Sequence, residues 1–213
     1  MLASEVETRP WTEQSTIDDA QYRNQFDYLQ AHSAFYQKKF NDAGIGPAGA
    51  GGLADIARLP FTEKSEIRAS CTAENPIGSH LCVERSEIVR IYSTSGTTGT
   101  PSYIPLTARD LDNWVTTSAR SYSASGVEAG QRIVSTYNAG PFVAGAALGA
   151  FDKLGMCHIP VGTGNTERLM TAIRMLKPEA AVLTPSYAAY LIEWASEKKF
   201  DLMCQVIQLC INK

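Results

Sequence analysis

The sequence predicts an α/β fold in which a parallel sheet with flanking helices is preceded by a helical N-terminal segment. Two observations predict it. After residue 86, short runs of aliphatic and β-branched residues alternate with longer stretches of helical periodicity. Such alternation is typical of parallel strands joined by right-handed crossovers. Before residue 87, aromatic and aliphatic residues recur at three- and four-residue steps, which indicates helices.

The N-terminal segment begins with polar residues and continues with a helical pattern. Residues 1–20 show no clear period, so we expect a loosely held arm. A helix is predicted over 19–43, with Gly44 as the left-handed residue that ends it. A second, short helix is predicted over 63–70, with Thr62 as its N-cap.

Four strand–helix units are predicted in the remainder. The predicted strands are 87–92, 132–137, 156–161 and 180–184, and the predicted helices lie between Thr107 and Gly126 and over 142–154, 166–177 and 186–198. Ligands of parallel sheets bind beyond the carboxyl ends of the strands. The segments that follow these strands are therefore expected to share one edge of the sheet. They are 94–98, 138–142, 162–166 and 185–187.

Composition excludes several classes of function. The chain of 213 residues has a formal net charge of −3, which argues against a nucleic-acid partner or a basic membrane surface. No apolar run approaches the length of a membrane span, and the N-terminus lacks the order of a signal peptide. Five scattered cysteines without a C-x-x-C pair fit reduced thiols in the cytoplasm. Neither they nor the histidines show metal-ligand spacing, so no metal site is predicted.

The stretch 93–101 contains only Ser, Thr, Gly and Pro. Gly96 and Gly99 allow the backbone to approach a ligand closely, and successive N–H groups and hydroxyls can bind phosphate oxygens. An ordinary surface loop is the open alternative. No Walker A lysine follows, and the G-x-G-x-x-G match at 44–49 follows a helix rather than a strand. We interpret that match as a helix end and linker.

The loop resembles the phosphate loop of the adenylate-forming superfamily, the acyl-CoA synthetases and other AMP-binding enzymes. Its surroundings resemble the phenylacetate–CoA ligase branch. Four further segments resemble that branch in the same order, namely 59–64, 137–142, 162–168 and 184–187. The resemblance extends from about residue 28 to about residue 198 and covers only the N-terminal portion of that family.

The resemblance implies that ATP activates an aryl or related carboxylic acid as an acyl-adenylate, with Mg²⁺, before transfer to coenzyme A or a carrier-protein thiol. It assigns the ATP phosphates to Ser93, Thr94, Ser95, Gly96, Thr97, Thr98, Gly99 and Thr100. It assigns the acid to Tyr137 and Phe142, for which a plain core role is the alternative. Thr100 stands where many relatives have Lys, and Arg90 and Arg168 are the cations nearest in sequence.

Members of the family continue with an adenine-binding segment and a C-terminal domain that carries a catalytic lysine. The sequence shows neither, so we assign no catalytic or metal-binding residue and expect no turnover by this chain alone. We expect a mostly helical segment over 1–86, an α/β portion over 87–202 and an atypical tail over 203–213, whose apolar run could add a fifth strand. A non-catalytic nucleotide-binding module, or a truncated remnant that self-associates at an unpaired sheet edge, is the alternative.

Overall fold

The computed structural model describes residues 4–46, 51–94, 102–137, 144–200 and 208–211. They fall into two units, which divide between Ala108 and Arg109. The segment boundaries expected at 86/87 and 202/203 stay predictions. None of the helices in the described ranges is long and apolar enough to cross a membrane.

The first unit is mostly helical. Its helices are α1 (Ser4–Glu7), α2 (Trp11–His32), α3 (Ala34–Asp42) and α4 (Lys64–Ala69), with 3₁₀ turns at Leu53–Arg58 and Arg85–Glu87. The expectation of a loose arm is wrong for residues 11–20, which form the first half of α2. This part of α2 has no apolar periodicity, and contacts between polar side chains stabilise it instead. Arg9 pairs with Glu13 at 3.3 Å, and Gln14 donates a hydrogen bond to Asp18 at 2.6 Å.

Ser33 interrupts the single helix that was predicted over 19–43. Its backbone is extended, and its side chain is fully buried and accepts a hydrogen bond from the Tyr36 N–H. This residue therefore ends α2 and caps α3. The turn allows Phe26 of α2 to stack on Phe40 of α3 with ring centroids 5.0 Å apart.

The predicted helix end at Gly44 is confirmed. Gly44 has a φ of +70°, and the Ile45 N–H donates to the Phe40 carbonyl at 2.8 Å. Ile45 is also buried against Phe40, which completes a Schellman motif. The G-x-G-x-x-G match at 44–49 therefore begins at a helix end, as interpreted from the sequence. Residues 47–50 lie outside the described residues.

Helix α4 begins one residue later than predicted. Glu63, not Thr62, occupies the N-cap position, because the Glu66 carboxylate accepts the Glu63 N–H at 2.7 Å. Glu66 also forms an ion pair with Lys39 of α3. That pair fixes α4 against the preceding helix.

The strand before the Ser/Thr/Gly loop does not belong to the parallel sheet. Strand β1 (Ile88–Ser93) pairs antiparallel with β2 (Tyr103–Thr107) as a separate two-stranded sheet. The prediction that 94–98 follows a strand of the parallel sheet is therefore wrong. Strand β2 was not predicted; it contains Pro105, which is tolerated because a two-stranded sheet has only edge strands.

The second unit contains the predicted parallel sheet. Its strands are β3 (Arg132–Ser135), β4 (Cys157–Pro160), β5 (Ala180–Leu183) and β6 (Gln208–Ile211), in the spatial order β4-β3-β5-β6. All three pairings are parallel, and β6 confirms that the tail adds a strand. The helices are α5 (Ala108–Ala124), α6 (Ala144–Lys153), α7 (Thr166–Leu176) and α8 (Pro185–Glu197).

Successive strand residues serve two separate cores. Ile133 belongs to a buried cluster with Tyr122 of α5 and Phe151 of α6. Val134 belongs to a second cluster with Leu169 of α7 and Leu191 of α8. Since side chains alternate across a strand, the sheet is covered on both faces.

Candidate phosphate and acid-binding site

The base of the predicted phosphate loop is closed by hydrogen bonds. Strand pairing ends with Ser93 opposite Tyr103. Beyond it, the Thr94 N–H donates to the Ser102 carbonyl at 3.0 Å, and the Ser102 N–H donates to Thr94 Oγ1 at 3.1 Å. Strands β1 and β2 thus form a β-hairpin, and the two ends of the segment that joins them are held together at Thr94 and Ser102.

The structure describes two of the eight residues predicted to bind ATP phosphates. Ser93 ends β1, and Thr94 uses its hydroxyl oxygen to hold the base of the loop. The others, Ser95, Gly96, Thr97, Thr98, Gly99 and Thr100, lie outside the described residues. Their role in phosphate binding stays a prediction.

A cation that the sequence analysis missed lies at this base. Arg68 of α4 donates from Nε to Ser102 Oγ at 3.2 Å. Only the folded chain brings these residues together, since they are 34 positions apart. Arg90, one of the two cations nearest in sequence, instead lies 5.9 Å over the Tyr92 ring and donates to its hydroxyl at 3.3 Å.

In the second unit, the carboxyl ends of β4 and β5 bring two predicted segments together. Gly162 follows β4 with a φ of +77°, and Thr184 caps α8 directly after β5. The hydroxyls of Thr166 and Tyr187 lie 3.1 Å apart. The shared edge is confirmed for 162–166 and 185–187.

Two side chains on this edge shape the turns around it. The Asn165 side chain caps α7 by accepting the Arg168 N–H at 2.8 Å. Arg168 therefore lies in the first turn of α7, where its N–H is held by the cap. Tyr187 stacks on Tyr190, one turn further along α8, at 5.9 Å between ring centroids.

Tyr137, predicted to bind the acid, follows β3 at the same edge. It is half-buried and packs against the core cluster that contains Phe151. Burial raises the pKa of its phenol, which therefore stays neutral at physiological pH. Phe142, its predicted companion, lies outside the described residues together with Asn138 and Pro141.

A buried polar pair lies beside this edge. Ser135, fully buried at the end of β3, is 2.8 Å from Nε2 of His158 on β4. Burial lowers the pKa of His158, whose ring also contacts Phe151 at 4.8 Å. The histidine is a neutral, hydrogen-bonded core residue.

The described residues contain no group of three or more His, Cys, Asp or Glu side chains that could hold a metal ion.

Curated relatives identify the family. The chain is 34% identical over 194 residues to a phenylacetate-coenzyme A ligase of Thermus thermophilus, which covers 91% of this chain and 42% of that protein. It is 37% identical over 160 residues to a protein of the same name from Aromatoleum evansii, covering 74% of this chain and 35% of that protein.

Over the part that it spans, the chain belongs to the phenylacetate–coenzyme A ligase branch of the adenylate-forming enzymes. It spans less than half the length of these curated relatives, 42% and 35%. No protein-family model matches it.

Solved structures of a CoA ligase share the fold of this chain. A 2-hydroxyisobutyryl-CoA ligase in complex with 2-HIB-AMP and CoA superposes with a TM-score of 0.86 and 29% identity, covering 94% of this chain and 43% of that one. An open conformation of the same enzyme gives a TM-score of 0.85 with 27% identity, covering 94% of this chain and 44% of that one. The α/β architecture with its parallel sheet is therefore that of an adenylate-forming ligase.

Proposed function

We propose that this chain carries the phosphate loop and the acid-binding residues of an ATP-dependent ligase that activates an aryl or related carboxylic acid for transfer to coenzyme A. One observation carries the proposal, the 34% identity to a phenylacetate-coenzyme A ligase across 91% of the chain. The adduct and the CoA bound to the similar 2-hydroxyisobutyryl-CoA ligase support the order of the two steps.

The reaction must make a carboxylate reactive. A carboxylate oxygen attacks the α-phosphorus of ATP and forms an acyl–phosphate bond, while the bond to the β-phosphate breaks and pyrophosphate leaves. The thiol of coenzyme A then attacks the acyl carbon, loses its proton and displaces AMP. Protein groups accelerate such transfers chiefly by positioning the reactants and by stabilising the charge that develops.

In this proposal the hairpin loop binds the β- and γ-phosphates and then the pyrophosphate product. Thr97 and Thr98 donate their hydroxyls, and Gly96 and Gly99 present backbone N–H groups without side chains in the way. The hydrogen bonds between Thr94 and Ser102 support the role, because they fix both ends of the loop at one place.

The acid is proposed to contact Tyr137 and Phe142. A flat aromatic acid gains free energy by packing on an aromatic ring in a dry cleft. The packing of the half-buried Tyr137 ring against the core cluster that contains Phe151 supports this role, because it holds one face of the ring in place. Asn138 and Pro141 differ from the glycine and aliphatic residue expected in the family, so the proposal includes aryl and related acids other than phenylacetate.

Calorimetric titration of the 213-residue chain with pyrophosphate, ATP and AMP tests the proposal. We expect pyrophosphate and ATP to bind with similar affinity and AMP to bind more weakly, because the loop recognises the β- and γ-phosphates. Tight AMP binding, or no binding of pyrophosphate, would contradict it. We expect no pyrophosphate exchange from the chain alone, and exchange well above background would overturn that expectation.

A double variant locates the binding in the loop. Replacing Thr97 and Thr98 with Val removes two hydroxyls at little change in shape, and should weaken pyrophosphate binding at least about tenfold. The matched control replaces Thr12 and Thr16, two exposed residues of α2 in the same unit, with Val. If both double variants bind pyrophosphate equally well, the loop is not the site.

A further inference from the structure

Ser135 and His158 form a buried polar pair whose hydrogen bond has one favourable direction. Ser135 is fully buried, and its hydroxyl lies 2.8 Å from Nε2 of His158. Among the described residues, this hydroxyl has no other hydrogen-bond partner. If Nε2–H were the donor, the hydroxyl proton would be buried without an acceptor, which is costly. The hydroxyl therefore donates to Nε2, and the proton of the neutral imidazole lies on Nδ1.

A second serine–histidine pair, in the first unit, has the opposite direction. The Ser70 hydroxyl donates to the Ile67 carbonyl at 2.8 Å and lies 3.1 Å from Nδ1 of His80. Because the hydroxyl proton is already used, Nδ1–H of His80 donates to Ser70. Protonation of His80 at Nε2 keeps this bond. Protonation of His158 at Nε2 instead removes the acceptor of the Ser135 hydroxyl.

Ser135 also holds the edge of the parallel sheet through its backbone. Its carbonyl accepts the Val161 N–H at 3.0 Å and the Gly162 N–H at 3.4 Å, at the turn that follows β4. Its side chain reaches His158 on the same strand. Both connections join the end of β3 to β4. A change in the side-chain hydrogen bond therefore occurs in the residue whose backbone holds the turn at Gly162.

The same face of the sheet supports Tyr137. Side chains two residues apart along a strand lie on one face, and Ile133 and Tyr137 both pack in the cluster that contains Phe151. The His158 ring lies 4.8 Å from the Phe151 ring. His158 therefore belongs to the packed layer that supports Tyr137. Ser135 lies between Ile133 and Tyr137 along the chain.

From this geometry we propose that the Ser135–His158 pair is a positioning element of the acid site, and that it holds Tyr137 in place only while Nε2 of His158 is unprotonated. This inference rests on the acid-binding role proposed above for Tyr137. Protonation turns Nε2 from an acceptor into a donor, so the Ser135 hydroxyl has to rotate and the packing at the end of β3 changes with it. Acid binding is then weaker when His158 is charged, although a charge alone would attract a carboxylate.

The groups around His158 favour its neutral form. Burial lowers its pKa, and Asp152 of α6 opposes this with a smaller effect. The other charged groups of α6 and β3, Lys153 and Arg132, are held in ion pairs. Tyr137 has a raised pKa and stays neutral. The positioning form of the pair is therefore present at physiological pH and is lost as the pH falls through the lowered pKa of His158.

Two variants test the direction of the bond by NMR pH titration of the histidine rings. Ser135→Ala removes a donor to the neutral ring and should raise the pKa of His158. The matched variant Ser70→Ala removes an acceptor whose bond strengthens when the ring is charged, so it should lower the pKa of His80. In the unaltered chain, the nitrogen signals of neutral His158 should show its proton on Nδ1. A proton on Nε2 would overturn the inference, however well Ser135→Ala folds.

Titration with phenylacetate, followed through the ring signals of Tyr137, tests the positioning. A carboxylate probe stays ionised above about pH 5, so a change in affinity above that pH reports on the protein. The affinity should fall as His158 becomes protonated, and Ser135→Ala should weaken it about threefold or more at neutral pH. Ser70→Ala, in the first unit, should leave it unchanged.

The outcomes are distinct. Tyr137 signals and an affinity that do not change in Ser135→Ala would overturn the positioning role. Tighter binding of phenylacetate as His158 becomes charged would do so too, because it would show a plain attraction between charges. If the unaltered chain binds no phenylacetate, the acid-binding role of Tyr137 fails, and the response of the Tyr137 signals to Ser135→Ala then decides the positioning by itself.

Discussion

Among the described residues, Phe151 is the largest side chain that is fully buried. Its side chain has 0% of its surface exposed, and its ring lies 4.9 Å from that of Tyr122 and 4.8 Å from that of His158. It therefore joins α5, α6 and β4. Phe151→Ala removes a whole buried ring and should lower the free energy of unfolding by about 3–5 kcal/mol.

Differential scanning calorimetry measures this loss. For a unit of about 100 residues, each kcal/mol shifts the midpoint by roughly 4–8 °C, so the second unit should unfold at least about 12 °C earlier. Phe61→Ala is the matched control, because Phe61 is 95% exposed and its loss should change the free energy by less than about 0.5 kcal/mol.

Phe151→Ala should also change the protonation equilibrium of His158. Burial lowers the pKa of His158, and water that enters the space left by Phe151 should raise that pKa toward its ordinary value. An NMR pH titration of the His158 ring measures this change in pKa in the molecules of the variant that remain folded. A midpoint within about 2 °C of the unaltered chain, together with an unchanged His158 pKa, would refute the description of this core.

Three further perturbations follow from local geometry. Lys199 has a φ of +52° after α8, so Lys199→Gly should stabilise the chain by about 0.5–1 kcal/mol, whereas Lys198→Gly, at a φ of −85°, should not. Hydrogen bonds from Arg132 lower the pKa of Glu179 from 4.5 to about 2. This carboxylate therefore adds stability above pH 4.5 that is lost as the pH falls toward 2, and Glu179→Gln should flatten that part of an acid unfolding curve. Ser33→Ala removes the cap of α3 and should cost about 1 kcal/mol in urea unfolding, and an unchanged midpoint would show that the cap is not needed.

The sequence predicted the elements whose signals are local. The three strands and three helices predicted between residues 126 and 198 follow from aliphatic runs between helical periods, and all appear within a few residues of the predicted bounds. Gly44 and Gly126 were predicted to end helices, and both have positive φ. The shared edge at 162–166 and 185–187 followed from the parallel topology alone.

Features that depend on distant contacts could not be read from the sequence. Strand β2 contains Pro105, and its pairing with β1 depends on partners ten or more residues earlier. The break at Ser33 is stabilised by the stacking of Phe26 on Phe40, which a helical period alone does not reveal. The contact of Arg68 with the base of the loop likewise exists only once α4 is packed.

The measurement that tests the central claim most directly is an NMR titration of the isotope-labelled chain with pyrophosphate, following the backbone amides of the loop. We predict saturable shifts at Gly96, Thr97, Thr98 and Gly99, with one common affinity that the Thr97→Val, Thr98→Val double variant lowers. Shifts confined to residues outside the hairpin, or no saturable shift at any amide, would contradict the claim that this loop binds polyphosphate.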